Sequence, residues 1–537
     1  MHIYTYVAAG YTGHIVAVEV DIRRGIPGTD IVGLAGSAVR EARERVRVAV
    51  RRSGLYYPRD RVVVNLSPAG VPKSGAGLDL AIAMAVLMAA GQLAAVDPQP
   101  TLVLGELRLD GQVRPVSGVL AAVSEAARLG IIRYLVPAAN ASEAVALNSG
   151  IVLPVASLAE AVNAVQTGRT AAAPPAGPGA AVQQRHCHDV GVSGSDYRFF
   201  CGAPLIVRAM EIAAAGRHNL LLVGPPGSGK TLAARSMPSI LAPLGGMEAV
   251  EATRIHSLAG VLTAGTGLLS SAPFRSPHHT SSTEGMIGGG VVPRPGEVSL
   301  AHHGVLFLDE ALQFRRPVLQ SLREPMESTR INLARATGNY WFPADFQLVL
   351  ACNPCPCGNL GRDGHHCLCS QAEVDRYWRG LSGPVLDRVE LRVAASAFAG
   401  SLLSGGQGES SRCIRSRVVQ AVEIQTERYR NSRYSCNARL RSHEIAAVVH
   451  ATDQAQQALA AAVTALSLSN RAQHAILRVA RTIADLEGAA GVGRYHLLEA
   501  VQYRRLGDDC PIASFDAHTP HRASPGRTDS ALCAPAD

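Results

Sequence analysis

The feature that most constrains this chain is a glycine-rich run preceded by a short apolar segment. Residues 219–223 predict a buried strand, and residues 232–237 predict the start of a helix. The run between them matches G-x-x-x-x-G-K-[ST] in full and consists of Gly224, Pro225, Pro226, Gly227, Ser228, Gly229, Lys230 and Thr231. In this order the glycines let backbone amides turn towards phosphates, and the helix N-terminus adds its positive dipole end. The sequence therefore predicts an α/β fold that binds ATP, with Lys230 on the β- and γ-phosphates and the Thr231 hydroxyl on Mg²⁺.

A second apolar run, residues 304–308, ends in two carboxylates. Asp309 suits a Mg²⁺ contact, and Glu310 suits the base that orients an attacking water. A strand that ends in solvated acids is common in α/β folds. Because a complete phosphate loop lies upstream, we interpret Asp309 and Glu310 as catalytic rather than as solvated acids. The two motifs together predict ATP hydrolysis.

Three further stretches carry a family resemblance. Residues 274–280 read Phe-Arg-Ser-Pro-His-His-Thr, residues 293–302 read Pro-Arg-Pro-Gly-Glu-Val-Ser-Leu-Ala-His, and residues 353–358 read Asn-Pro-Cys-Pro-Cys-Gly. With the phosphate loop, these stretches resemble the magnesium-chelatase-like AAA+ ATPases, and within them the ComM/YifB family, over about residues 3–506. The segment 189–204 departs from the family's usual Asp-Val-x-Gly-Gln at the entry to the ATPase core.

The resemblance implies roles for three more residues. Asn353 ends a predicted strand beside the phosphate-loop strand and would sense the γ-phosphate or the water. Arg388 resembles the arginine finger that acts in trans on a neighbouring subunit's ATP, and Arg471 matches the sensor-2 arginine of a helical lid. The family further implies a ring, expected to be a hexamer, that acts on DNA as a helicase or branch-migration translocase in recombination or uptake of foreign DNA. A hairpin at about residues 285–299, with Arg294 as its basic residue, would project into the pore.

Residues 72–79 read Pro-Lys-Ser-Gly-Ala-Gly-Leu-Asp, and residues 115–120 read Pro-Val-Ser-Gly-Val-Leu. Through these two motifs the N-terminal block resembles the proteolytic domain of Lon, a ribosomal S5 domain 2-like α+β fold. Gly77 stands where Lon has its nucleophile, and Leu120 stands where it has its general-base lysine. Because glycine has no nucleophile and leucine no base, Ser/Lys peptidase chemistry is excluded. Lys73 keeps its place in the motif, and a contact with nucleic acid, a contact with a subunit and a plain turn lysine all remain open.

Composition shifts divide the chain into five segments. We expect a Lon-like domain at 1–166, a Pro/Gly/Ala-rich linker at 167–188, an AAA+ core at 189–398, a helical lid and C-terminal helical domain at 399–506, and a disordered tail at 507–537.

Five of the eleven cysteines crowd into residues 352–369, which does not suit a secreted disulfide scaffold. Four of them lie on a glycine-rich loop and form a candidate structural Zn²⁺ site: Cys355, Cys357, Cys367 and Cys369. Two alternatives remain open. Cys352, His365 or His366 could replace one of these four ligands, or the cysteines could be free thiols that bind no metal.

The formal net charge of +8 suits a polyanion such as DNA, although a merely basic soluble protein fits it as well. Of 51 basic residues only Lys73 and Lys230 are lysine, and a biased base composition of the gene is one explanation for this preference. A lysine that persists under such a bias suits a site where a guanidinium cannot serve, as Lys230 does in the phosphate loop. The apolar stretch 80–96 predicts a buried helix rather than a membrane span. With no visible signal peptide, we expect a cytoplasmic protein.

Two other functions stay open. One is a magnesium-chelatase-type ATPase subunit that drives metal insertion, although the sequence does not resemble the integrin-like domain which that machine uses. The other is an ATPase that remodels protein substrates. A non-enzymatic scaffold is disfavoured by the complete hydrolysis set.

Overall fold

The computed structural model describes residues 2–93, 99–168, 196–200, 203–263, 265–335, 338–362, 364–381, 383–395, 408–432 and 434–504. The predicted tail, and the predicted linker apart from its first two residues, lie outside the described residues. The segment boundaries drawn from the sequence remain predictions.

Strands and helices alternate through the first 168 residues. Their bounds are β1 Ile3–Ala9, β2 Thr12–Arg23, β3 Gly28–Val32, α1 Ser37–Arg52, β4 Arg61–Ser67, α2 Asp79–Ala89, β5 Thr101–Val103, β6 Glu106–Leu107, β7 Val113–Arg114, α3 Val119–Arg128, β8 Arg133–Pro137, α4 Ala141–Val145, β9 Ile151–Val155 and α5 Leu158–Thr167.

Shorter elements follow between residues 196 and 395. Their bounds are α6 Pro204–Gly216, β10 Leu220–Val223, α7 Lys230–Ser236, α8 Gly246–Ala259, β11 Phe274–Arg275, α9 Thr283–Ile287, β12 Gly288–Gly289, β13 Arg294–Pro295, α10 Glu297–Leu300, β14 Val305–Leu308, α11 Arg316–Ser321, α12 Arg323–Ser328, β15 Arg330–Arg335, β16 Gly338–Pro343, β17 Gln347–Cys352, α13 Gln371–Trp378, α14 Gly383–Leu386 and β18 Leu391–Ala394.

From residue 408 to residue 504 the described chain is helical. The helices are α15 Ser411–Tyr429, α16 Ile445–Val449, α17 Asp453–Leu466, α18 Asn470–Leu486 and α19 Arg494–Gln502. Within the described ranges, no helix of the protein is both long enough and apolar enough to cross a bilayer.

A mixed sheet of seven strands organises the N-terminal block, in the order β3-β4-β2-β1-β5-β8-β9. In β4, Val62, Val64 and Leu66 are buried and alternate with more accessible residues, as expected of a strand with one face on a core. Helix α2 is buried over most of its length, as the apolar stretch predicts, but it ends at Ala89. Its first residue, Asp79, is buried and accepts hydrogen bonds from Arg45 Nε at 2.8 Å and the Leu107 N–H at 3.3 Å.

A second sheet has the order β11-β14-β17-β10-β18. Strand β10 pairs with β18, β11 with β14, and β14 with β17, each in parallel. The phosphate-loop strand β10 is buried throughout, like β14. A parallel sheet whose strands read as short continuous apolar runs is typical of an α/β core covered on both faces.

Contacts divide the chain into two compact units, each built from two chain segments. One unit comprises Met1–Ser195 and Ala234–Leu350, and the other comprises Asp196–Ala233 and Ala351–Asp537. The first unit contains the N-terminal sheet together with α8 and β14. The second contains β10, the phosphate loop, β18 and the C-terminal helices.

Within the first unit, α8 packs on the N-terminal block. Arg254 of α8 pairs with Glu125 at 3.0 Å, and its guanidinium lies 4.6 Å from the centre of the Tyr11 ring. The Ser257 hydroxyl donates to the buried Glu143 carboxylate. The N-terminal block is thus joined to this helix by ion-pair, cation–π and buried hydrogen-bond contacts.

Candidate nucleotide-binding site

The phosphate loop runs from buried strand β10 to helix α7, in the order predicted from the sequence. Two of its glycines have backbones in the left-handed region, Gly227 at φ +82° and Gly229 at φ +80°. At Gly224 the constraint is space, since a Cβ there would lie 2.2 Å from the carbonyl oxygen of Ala395 on the neighbouring strand. The loop therefore needs glycine at these positions for backbone geometry and for packing.

Lys230 is buried at the start of α7, and its ammonium is held by the loop itself. Nζ donates to the carbonyl oxygens of Gly224 at 2.6 Å and Pro225 at 2.8 Å, and to the Ser228 hydroxyl at 3.2 Å. Phosphate oxygens carry full negative charge and form stronger bonds with an ammonium than neutral carbonyls do. The loop holds the cation in place for such an anion.

Phe200 is a loop contact that the sequence analysis missed. A Cβ on Gly229 would lie 2.8 Å from its ring. Tyr197, in the same segment, donates through its hydroxyl to the carbonyl of Ala233 at 2.7 Å. The segment 196–200, which departs from the family motif, thus places an aromatic ring beside the phosphate loop. The sequence feature that could have indicated this contact is the cluster of aromatic residues at 197–200, in a chain with only 4% aromatic residues.

In the first unit, Asp309 and Glu310 follow directly on β14. Glu310 has a backbone φ of +48°, a left-handed conformation that costs free energy in a residue other than glycine. Its N–H donates to Asp309 Oδ1 at 3.0 Å. The Glu310 side chain is half exposed, and the pair leaves the strand in a tight, strained turn.

His279 lies beside Glu310, with its Nδ1 4.0 Å from Glu310 Oε2. It stacks on His278, with ring centres 4.1 Å apart, and His278 is fixed by a 2.9 Å hydrogen bond with the Thr280 hydroxyl. The run 274–280 entered the sequence analysis only as a sign of resemblance. Its position at β11 places this run next to Glu310, the candidate base.

Asn353 follows β17 in the second unit. The carbonyl of the preceding residue, Cys352, accepts a hydrogen bond from the Gly224 N–H at 3.2 Å, which ties this strand end to the first glycine of the loop. The structure therefore brings Asn353 to the phosphate loop. The distances do not test its role as a sensor, which remains a prediction.

The two candidate arginines have different surroundings. Arg388 is buried just after α14, where its guanidinium donates to the carbonyl of Pro384. Arg471 is exposed in the first turn of α18. An arginine finger must reach a neighbouring subunit, so Arg388 would have to turn outwards to act as one. Both roles remain predictions.

The four candidate zinc ligands come together in the second unit. Their sulfurs all lie within 4.8 Å of one another, and Sγ of Cys355, Cys357 and Cys367 are 3.4–3.6 Å apart. The backbone N–H of Asn359 lowers the pKa of the Cys357 thiol to about 6. All four cysteines are free thiols, and a disulfide would need about 2.05 Å.

A second cluster of metal-ligand types consists of Glu251, His302 and His303. His302 Nδ1 accepts the N–H of Asp345 at 3.0 Å, so its proton is on Nε2, which faces Glu251 at 3.4 Å. Hydrogen bonds from His302 and His303 lower the pKa of Glu251 to about 2. These bonds account for the cluster without a cation. They link α8 to the chain just before β14.

Leu120 and Lys73, two residues that the resemblance to Lon drew attention to, both make contacts within their own fold. Leu120 is buried in α3, and its N–H donates to Glu143 at 2.7 Å. Lys73 is also buried and donates to the carbonyl of Pro68. Of the readings left open for Lys73, the structure supports a turn lysine within its own fold.

Comparisons with known proteins cover most of the chain. Residues 196–402 match the family model of magnesium chelatase, subunit ChlI. Residues 18–140 match that of subunit ChlI of Mg-chelatase, and residues 408–504 match the ChlI C-terminal model.

Individual proteins extend this similarity. The chain is 40% identical to YifB of Escherichia coli (strain K12) over 506 residues, which are 94% of this chain and 97% of YifB. It is 38% identical to the competence protein ComM of Haemophilus influenzae over 509 residues, again 94% and 97%. A shorter match to the Lon protease of Mycolicibacterium smegmatis is 28% identical over 139 residues, 24% of this chain and 17% of Lon.

Proposed function

The chain belongs to the ComM/YifB family of magnesium-chelatase-like AAA+ ATPases, and from this membership we propose that it is an ATP-driven ring motor that acts on DNA. The observation that carries the proposal is the phosphate loop, where glycine geometry and a buried lysine prepare a site for phosphates. The Lon-like character of residues 1–166 is part of the same proposal.

The proposed hydrolysis uses residues from five places in the chain. Lys230 binds the β- and γ-phosphates, and Glu310 orients the water that attacks the γ-phosphate. Asn353 contacts the γ-phosphate or the attacking water. Arg471 approaches the γ-phosphate from the helical lid, and Arg388 reaches the γ-phosphate from a neighbouring subunit. Within the second unit, the hydrogen bond from the Gly224 N–H to the Cys352 carbonyl supports the placement of Asn353 beside the phosphate loop.

Magnesium is the metal that this reaction requires. The Thr231 hydroxyl and the Asp309 carboxylate are hard oxygen donors of the kind that Mg²⁺ prefers, and we propose them as its protein ligands. When bound, the ion would neutralise charge on the β- and γ-phosphates. The four cysteines are proposed to hold a separate, structural Zn²⁺.

Four features support a ring and DNA. Family membership and a candidate arginine finger favour a ring, proposed to be a hexamer, and one relative is named a competence protein. The hairpin expected at 285–299 is present as the antiparallel pair β12–β13, and Arg294 is exposed on it. We propose that this hairpin lines the pore and touches the DNA backbone, where a guanidinium binds phosphate well.

One observation favours a second candidate, the remodelling of proteins. The tip of the β12–β13 hairpin is apolar: Val291 is 97% exposed and Val292 is 46% exposed. Exposed apolar side chains fit a polypeptide better than a phosphate backbone.

The test is the rate of ATP hydrolysis with single-stranded DNA, duplex DNA, a four-way junction, an unfolded polypeptide, or no addition. We expect DNA to raise the rate several-fold, and Lys230→Ala protein sets the background. If the unfolded polypeptide raises the rate and none of the DNAs does, protein remodelling becomes the favoured function. Hydrolysis no faster than the Lys230→Ala background would reject the motor.

A further inference from the structure

The cysteine loop, of which residues 353–362 and 364–370 are described, brings its four cysteines into the geometry of a closed tetrathiolate metal site. Four sulfurs at about 2.3 Å from a tetrahedral Zn²⁺ would lie about 3.8 Å from one another. The Sγ–Sγ distances are 3.4 Å for Cys355–Cys357 and 3.6 Å for Cys355–Cys367 and Cys357–Cys367. These separations exceed a disulfide bond and are close to the edges of that tetrahedron.

One backbone amide supports the cysteine cluster. The Leu360 N–H donates to Cys355 Sγ at 3.4 Å. Outer hydrogen bonds of this kind orient metal ligands and stabilise their charge.

Tight turns make this arrangement possible and bring it against the phosphate loop. Gly358 has φ +78°, and a Cβ on it would lie 2.8 Å from Cδ of Pro226. Its N–H donates to the carbonyl of Cys355 at 3.0 Å, so the turn that packs on Pro226 begins at a cysteine of the cluster. Trp378 supports the start of this turn, since its indole N–H donates to the carbonyl of Pro354 at 3.0 Å.

We propose that the four cysteines hold one Zn²⁺, and that this ion keeps Gly358 packed on Pro226 so that ATP affinity depends on the metal. The coupling rests on the proposed ATPase function, whereas the metal site does not. Without the ion, the turn loses its anchor and the phosphate loop samples conformations that do not bind ATP. If only about a tenth of the molecules then remain competent, the apparent Kd for ATP rises about tenfold.

The first experiment measures metal on the full-length protein purified without chelator. We expect about one zinc per chain, and loss of it in the double variant Cys357→Ser, Cys367→Ser, which spares the buried Cys355. Protein without zinc, or a double variant that keeps its zinc, would overturn the metal site. Both outcomes leave the ATPase proposal intact.

The second experiment tests the coupling with a matched pair of glycines. Gly358→Ala and Gly361→Ala impose similar left-handed strain, at φ +78° and +72°, but a Cβ on Gly361 meets no atom within 4 Å. With zinc content and circular dichroism unchanged, we expect Gly358→Ala to raise the Kd of a fluorescent ATP analogue about tenfold and Gly361→Ala to leave it unchanged. The zinc-free double variant Cys357→Ser, Cys367→Ser should show the same rise of about tenfold, because it lacks the ion. Equal affinities in the two glycine variants, or wild-type affinity in the zinc-free variant, would overturn the coupling. Wild-type protein that binds no ATP would instead reject the ATPase proposal.

Discussion

Both lysines of this arginine-rich chain are buried, and each ammonium is bound by backbone carbonyls. Lys230 binds the carbonyls of Gly224 and Pro225, and Lys73 binds that of Pro68. A compact ammonium with three rotatable donors fits such pockets, whereas a planar guanidinium does not. The same physical reason therefore accounts for lysine at both positions. Lys230 lies in the proposed phosphate-binding loop, and Lys73 lies in a turn where its role is structural.

Glu310, the candidate base, gives the sharpest prediction at the scale of single residues. Glu310→Gln should bind ATP normally but hydrolyse it about 10²–10⁴ times more slowly, because the attacking water loses its orienting carboxylate. Phosphate release and binding of a fluorescent ATP analogue measure the two effects separately. Glu423→Gln, at an exposed position on α15, is the control and should behave as wild type. Near-normal turnover of Glu310→Gln would remove this residue from the mechanism.

At the scale of elements, local signals predicted the C-terminal helices well. Two runs with apolar residues at helical spacing, residues 455–466 and 472–486, lie within α17 and α18, and each helix begins two residues before its run. The side chains of Thr452 and Ser469 accept hydrogen bonds from the third residue after them and so set these starts. The β10–loop–α7 order was predictable for a similar reason, because the motif requires it.

Contacts between distant parts of the chain were not predictable from local patterns. His279 lies beside Glu310, and Glu251 bonds His303, because strands and helices remote in sequence fold together. The four cysteines could be proposed as a cluster because one short loop carries them all. Which residues the loop would touch, above all Pro226, depends on packing that one sequence does not display.

The ion pair between α1 and α2 allows a prediction about stability. Asp79 is fully buried, and burial raises its pKa although Arg45 opposes the shift. Arg45→Met leaves the carboxylate without its cation and should lower the free energy of unfolding by about 3 kcal/mol at pH 7.5. Urea denaturation measures this loss, with Arg43→Met at an exposed position of the same helix as the control.

The same variant has a defined pH dependence. The pKa of Asp79 is already raised in the folded state, and removing Arg45 raises it further. The folded state then binds a proton more readily than the unfolded state, so stability falls as pH rises between the two pKa values. Arg45→Met should therefore be less destabilising at pH 5 than at pH 7.5. A loss independent of pH would mean that packing rather than charge accounts for it.

At the scale of the whole molecule, the main question is whether one subunit completes the site of another. Arg388 is buried against Pro384 in the single chain, whereas Lys230 lies in the phosphate loop. If Arg388 acts in trans, the two residues serve different interfaces of a ring. Their loss can then be complemented between subunits.

Mixed rings test this directly. Arg388→Ala should keep ATP binding and lose about 10³-fold in hydrolysis, and Lys230→Ala should lose binding. Co-expressed together, the two inactive variants should regain part of the hydrolysis, since some interfaces combine an intact loop with an intact finger. If co-assembled rings regain no hydrolysis, Arg388 either acts on the ATP of its own chain or has no part in the mechanism.

The contact between Glu143 and Ser257 has an evolutionary consequence. The buried Glu143 carboxylate accepts both the Leu120 N–H and the Ser257 hydroxyl of α8. That helix also carries Glu251, which bonds the histidines just before β14. The N-terminal block is in this way joined to the part of the chain that carries β14. Selection on the ATPase would then extend to residues that never meet a nucleotide.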